Sequence, residues 1–243
     1  MLFAAAAFVL AEAAVRLFDL SDSLAAPSEA AGALIEGLGN GTLSGEILTT
    51  LEVYVQGLAL ALVIGVVLGI AIGVSRTIED GTSVVVEFLR PIPAVALIPL
   101  AILWFGIGTS MLRFVVAYAA IWPILVHTVY GIRGVDRMLY DVAASSGVTG
   151  AARVARVSVP AASPGIATGI RVSAAIALVV CVTAEFFFGT QGIGAYMQAQ
   201  QAAYRIPELY AAVLLIGLIG LAIDAVLRAT QRQALFWVGE ERM

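Results

Sequence analysis

Few side chains in this chain could do chemistry, and most of them sit inside apolar runs. Glu185 lies in VVCVTAEFFFG, His127 follows Trp122-Pro123 in another run, and Gln56 and Thr183 stand among aliphatic residues. One histidine, one cysteine (Cys181) and scattered carboxylates cannot build a His/Cys metal site within one chain. Nor do they form the nucleophile–base cluster of an enzyme. All thirteen basic residues are arginine, which excludes a P-loop lysine and Schiff-base chemistry. The net charge of −4 gives no nucleic-acid footprint. A charge at the centre of a bilayer costs at least about 2.5–3.5 kcal/mol, so each one there calls for a reason. Glu185 reads either as a polar group on a translocation path or outer gate, or as a carboxylate bonded to arginine or backbone N–H groups at a helix end. His127, beside Thr128, reads as a path residue or as an imidazole bonded to a neighbouring helix. Gln56 and Thr183 read as path residues or as packing glue, and Pro99 as a kink on the same path.

The elements that must position these groups are membrane helices. The chain has 243 residues, 61% hydrophobic and 12% charged, with mean hydropathy +1.00. That excess needs lipid as solvent. The expected fold is a single all-α membrane domain over 1–243, with about six transmembrane helices. Met1 to Phe18 reads as the first, in preference to a signal peptide, because a basic leader region is missing. Asp19 to Glu46 reads as an exposed acidic loop with one short amphipathic helix, Ser28 to Leu38. Ile47 to Val74 is the second crossing, and Gly65, Gly69 and Gly73 give it a flat strip for close approach. Ser75 to Gly81 reads as a charged turn. Val84 to Phe105 is the third crossing, with Pro91 and Pro93 at its start. Pro99 is expected to kink it and free the Val95 carbonyl, and Trp104 to sit in the far aromatic belt. Met111 to Gly131, Ile166 to Phe188 and Leu209 to Leu227 complete the set, with Gly189 to Pro207 a polar loop. Arg171 is expected to snorkel to the headgroups, and Asp224 lies near a helix end.

With six helices and the N-terminus inside, Arg76, Arg90, Arg133, Arg137, Arg153, Arg156, Arg171, Arg228, Arg232 and Arg242 fall on the cytoplasmic side, against Arg16, Arg113 and Arg205 outside. Ten against three obeys the positive-inside rule. The same orientation puts both termini and the stretch Asp141 to Pro160 in the cytoplasm. That stretch reads as two short helices, each too short to cross a bilayer. Asp136 caps the first, Gly147 ends it, Thr149 caps the second, and the second stops before Pro160. Short capped helices on a membrane surface suit docking against another protein.

Asp141, Val142 and Ala143, with Gly147, Val157 and Val159-Pro160, keep the spacing E-A-A-x3-G-x9-I-x-L-P. The stretch thus resembles the cytoplasmic EAA loop of ABC importer permeases. The segment FLRPIPAVALIPLAILWFGIG, Phe88 to Gly108, is similar to the sulfonate/nitrate/taurine/bicarbonate branch of that family. The resemblance covers about 47–232, with the coupling loop at 134–163. It implies a type I importer fold and a coupling site of Asp141, Val142, Ala143, Ala144, Ser145, Gly147, Arg153, Val157 and Pro160. In that picture the small residues Ala143, Ala144, Ser145 and Ser146 let the first loop helix sit deep in an ATPase groove. Two separate ATPase subunits would bind ATP and Mg, so this chain needs no cofactor. A second permease copy and an extracytoplasmic binding protein are implied as well, in the inner membrane of a prokaryote. The solute is expected to be a small anion. A self-contained channel or secondary carrier is the alternative from another class.

Overall fold

The structure, a computed structural model, describes Glu12, Val15, Arg16 and residues 24–235. The expected first crossing, Met1 to Phe18, lies outside the described residues except at those three positions.

The described chain is helical. Helix α1 (Pro27–Gly39) runs through Ser28–Leu38 as expected. The long α2 (Thr42–Val74) follows, then α3 (Arg76–Leu89), a 3-10 turn (Ala94–Leu97), α4 (Ile98–Phe105) and α5 (Thr109–Arg133). After α5 come α6 (Arg137–Ser145), the short α7 (Gly150–Arg153), a π turn (Val154–Ser158), α8 (Val159–Phe188), α9 (Ile193–Ala202) and α10 (Ile206–Ala234). Four spans are long and apolar enough to cross a membrane: α2, α5, Gly150–Phe188 and α10. The pair α3 and Ala94–Phe105, bent by 87°, makes a fifth.

The core forms where α2 lies on α5. A Cβ added to Gly57, Gly65, Gly69 or Gly73 would run into Val116, Ile124, Thr128 or Ile132. The offset is 59 residues each time, so α2 and α5 run parallel and in step for about 24 Å, at 1.5 Å per residue. The glycine strip is therefore a seam: without side chains on α2, the branched residues of α5 reach its backbone. Helix α8 packs antiparallel on α5 and also touches α2. Gly169 meets His127 and Pro123 there, and Ser173 Oγ donates to Ala120 O at 2.6 Å. Parallel α2 and α5 oblige the chain to return across the layer between them. Only the bent pair lies between them, so that pair is the return crossing.

Four local expectations are corrected. Ser75 to Gly81 is no turn; the Ser75 side chain accepts from Ile78 N–H and starts α3. The third crossing is not one helix with a kink at Pro99. Pro91 and Pro93 split it, and Pro99 falls in the first turn of α4, where a missing N–H costs nothing. The Val95 carbonyl accepts from Ile98 N–H and is not free. The second loop helix does not stop before Pro160 but runs on through the π turn into α8. Pro160 cannot donate to the carbonyl four residues back, and a wider turn just before it absorbs the mismatch. Finally, Gly189 to Pro207 contains α9; its AYMQAQQA core is good helix former, and the glycines lie before and at its start.

Candidate functional site

At the end of the molecule where α2 and α5 finish, the loop is braced from several sides. Asp136 Oδ1 accepts from Met138 N–H at 2.9 Å and caps α6. Gly147 takes φ +74° and closes the helix, with Val148 N–H bonded to Ala143 O. Thr149 stands at the start of α7, but its side chain makes no cap bond. The Arg153 guanidinium lies 5.2 Å from the Tyr140 ring centre, and the Tyr140 hydroxyl reaches Ser158 Oγ at 3.3 Å. Arg133 makes a two-pronged ion pair with Glu79 and also donates to Ile72 O, pinning the start of α3 to the ends of α2 and α5.

On this base α6 turns one side inward and one outward. Ala143 is buried, so it packs against its own chain on the inward side of the helix. The outward side carries Met138 (69% exposed), Leu139, Asp141, Val142 (59%), Ala144 and Ser145. Of the other loop residues, Gly147 and Pro160 are exposed, while Arg153 and Val157 are half-buried.

The polar residues of the spans are not gathered at one place. Glu185, fully buried, lies at the opposite end of the molecule and accepts from Thr50 Oγ1 at 2.8 Å and Gly194 N–H at 3.1 Å. Cys181 lies beside it, and Thr50 Oγ1 in turn accepts from Ile193 N–H. Its carboxylate thus ties α2, α8 and the start of α9 together. A Cβ on Gly192 would strike that carboxylate, and Gly192 also needs φ +98°. His127 is half-buried against Gly169. Gln56, exposed, donates to Glu52 on its own helix, and Thr183 donates to Val179 O on its own helix. Pro99 is exposed on α4. Arg171 is paired: its Nε donates to Asp224 Oδ1 at 2.6 Å, and Arg228 shares that carboxylate, joining α8 to α10.

A membrane bundle with a braced loop at one end is a geometry that known proteins share. Residues 61–234 match the family described as binding-protein-dependent transport system inner membrane component. The chain belongs to that family. It is similar to a putative aliphatic sulfonates transport permease of Bacillus subtilis, 31% identical over 80% of this chain and 72% of that one. It is also similar to a riboflavin transport system permease of Chloroflexus aurantiacus, 33% identical over 88% of this chain and 80% of that one. The fold matches a chain of an inward-facing methionine ABC transporter, with TM-score 0.63 and 20% identity over 75% of this chain and 93% of that one. The protein is therefore a multi-pass permease of the ABC importer class, a non-catalytic subunit working with an ATPase and a binding protein. Similar relatives are named for unlike solutes, so likeness alone does not choose the cargo.

The permease holds one charged face that the residue types did not single out. Glu87 and Arg90 are exposed at the upper end of α3, with Ser83 below them. These three, with Thr82 and Tyr130, line a cavity of about 210 Å³ that ends at the Glu79–Arg133 pair. The signal was present as polar positions 83, 87 and 90, one helical face at i, i+4, i+7, but a charged turn was expected at the start of this helix.

Proposed function

We propose that the permease forms the passage for a small anionic solute of sulfonate, taurine, nitrate or bicarbonate type. An extracytoplasmic binding protein delivers the solute, and two ATPase subunits drive transport through the loop at 138–160. Two copies of this chain form the passage in the inner membrane of a prokaryote, with both termini and the loop in the cytoplasm. Each copy works as one domain, its core at about 47–232. The observation that carries the coupling role is α6 itself: a capped helix with an outward side of Met138, Leu139 and Val142. Exposed apolar side chains on a braced helix at a membrane surface are explained by a protein partner. Asp141 is assigned to a basic residue of that partner, and Ala144 and Ser145 to close contact. Gly147 sets the turn, and Arg153, Val157 and Pro160 carry the displacement into α8.

Among the residues of the spans, Glu185 is assigned to the outer rim, where it holds α9 in place and acts as a gate without touching solute. Gln56 and Pro99, both exposed, are assigned to the passage wall; His127 and Thr183 act through helix packing.

The test is the double variant Met138→Glu, Val142→Arg. The chain should insert and remain folded while recovery of the co-purified ATPase falls at least about tenfold, since central contacts of this kind are each worth upward of about 1–2 kcal/mol. Unchanged recovery would refute the coupling role.

A further inference from the structure

The charged end of α3 lies inside the layer, which corrects the placing of Arg90 with the cytoplasmic-side arginines: fourteen residues of helix separate it from Arg76. Helix α3 begins beside the last residues of α2 and α5, where Glu79 is paired with Arg133. It ends where the Tyr118 hydroxyl donates to Leu89 O. Arg133 and Tyr118 are fifteen residues apart on α5, or about 22 Å at 1.5 Å per residue, within a hydrocarbon layer of about 30 Å. The cavity between α3 and the α2–α5 pair is lined mostly by apolar side chains, among them Leu60, Ile64, Val85, Phe114 and Ile121.

Neither the Glu87 nor the Arg90 side chain has an ion-pair or hydrogen-bond partner among the described residues, and both residues are exposed. Two charges at that depth cannot face lipid without several kcal/mol of cost. That cost is avoided where they meet water, solute or another chain. The backbone points the same way: the span breaks immediately after Arg90, at Pro91 and Pro93, and bends by 87°. Broken helices at membrane depth are tolerated where they line a water-filled cavity or are buried in protein. No α3 residue is buried among the described residues, so none of them covers its outer face.

We propose that Ser83, Glu87 and Arg90 line the aqueous passage, and that Arg90 is the side chain that recognises the solute's anionic group. Its guanidinium offers a planar fork of donors suited to carboxylate, sulfonate or phosphate oxygens. Glu87, three residues and about 4.5 Å of helix rise away, takes a hydrogen-bond donor or cationic group of the same solute. The site thus fits a small dipolar solute, anionic at one end and donor-bearing at the other. This rests on the permease reading above and adds to it the residues that select.

The test needs no knowledge of the cargo. Ser83→Cys places a thiol between the charges and the cytoplasmic end with little change of shape. Wild type gives the background, because Cys181, the single cysteine, is fully buried. The assembled transporter in membrane vesicles is labelled with sulfonatoethyl methanethiosulfonate and, separately, with its trimethylammonium analogue. Both reagents should react at residue 83. Arg90→Gln should slow the anionic reagent about tenfold relative to the cationic one, and Glu87→Gln should shift the ratio the other way, as local fields in a cleft do. Lack of reaction with either reagent, in resting and ATP-driven vesicles alike, would overturn the aqueous face. A reagent ratio indifferent to Arg90→Gln would overturn the selecting role. Loss of ATPase from the α6 variant is read separately, so failure of the coupling role and failure of this site are distinguishable.

Discussion

Glu185 shows how a single carboxylate can be read from sequence in kind but not in use. Its position among apolar residues demanded a reason, and bonding to backbone N–H groups at a helix end was one of the two readings. Its partners could not be named, because Thr50 is 135 residues away and the start of α9 was read as loop. The bonds give a clear expectation. Glu185→Ala should orphan the Thr50 hydroxyl and Gly194 N–H at about 1–3 kcal/mol each, whereas Glu185→Gln keeps an acceptor oxygen and should lose less. Thermal unfolding of the purified permease in detergent would measure the difference, and equal losses would count against the assigned bonds. Gly69 gives a second case. A Cβ there meets Thr128 Cβ at 2.6 Å and Leu125 O at 3.0 Å, so Gly69→Val should cost about 1–3 kcal/mol through overpacking. Here the four-residue recurrence of glycine was legible, since close approach needs only an absent side chain and a period.

At the scale of elements, legibility failed wherever one local signal admitted two geometries. Proline reads as a start, a kink or a stop according to which carbonyl lies four residues behind it. Pro91 and Pro93 break a span, Pro99 opens a helix, and Pro160 sits just past a π turn inside a continuous one. Charge misled in the same way: SRTIEDG reads as turn because its residues are polar, yet Glu79 is held by Arg133 and Ser75 is a cap. The π turn carries its own prediction. Pro160→Ala restores the missing N–H and allows α-helical spacing, which would rotate the α7 end by about 100°, one residue of a 3.6-residue turn. The variant should unfold at an equal or higher temperature while ATP-driven uptake in vesicles falls. Full uptake would show that the wide turn has no part in coupling.

For the whole molecule, composition alone was enough for an all-helical membrane domain, and the parallel α2–α5 seam now gives the order of crossings. The described chain has a solid centre, with α2 and α5 in contact along their length and α8 against them. Among the described residues such a bundle leaves the exposed faces of α3 and α4 unpaired, and the proposed second copy would supply the opposite wall of a passage. Native mass of the assembled transporter should therefore show two permease chains; one chain per complex would defeat that arrangement. The unbroken run from Gly150 to Phe188 has a further consequence. At 39 residues it is a rod of about 58 Å, with the proposed coupling loop at its base and the Glu185 knot at its tip. Above the π turn and Pro164 the helix runs on without a break, so a nudge passed through them would tilt the lip at the top, much as a crowbar lifts a lid.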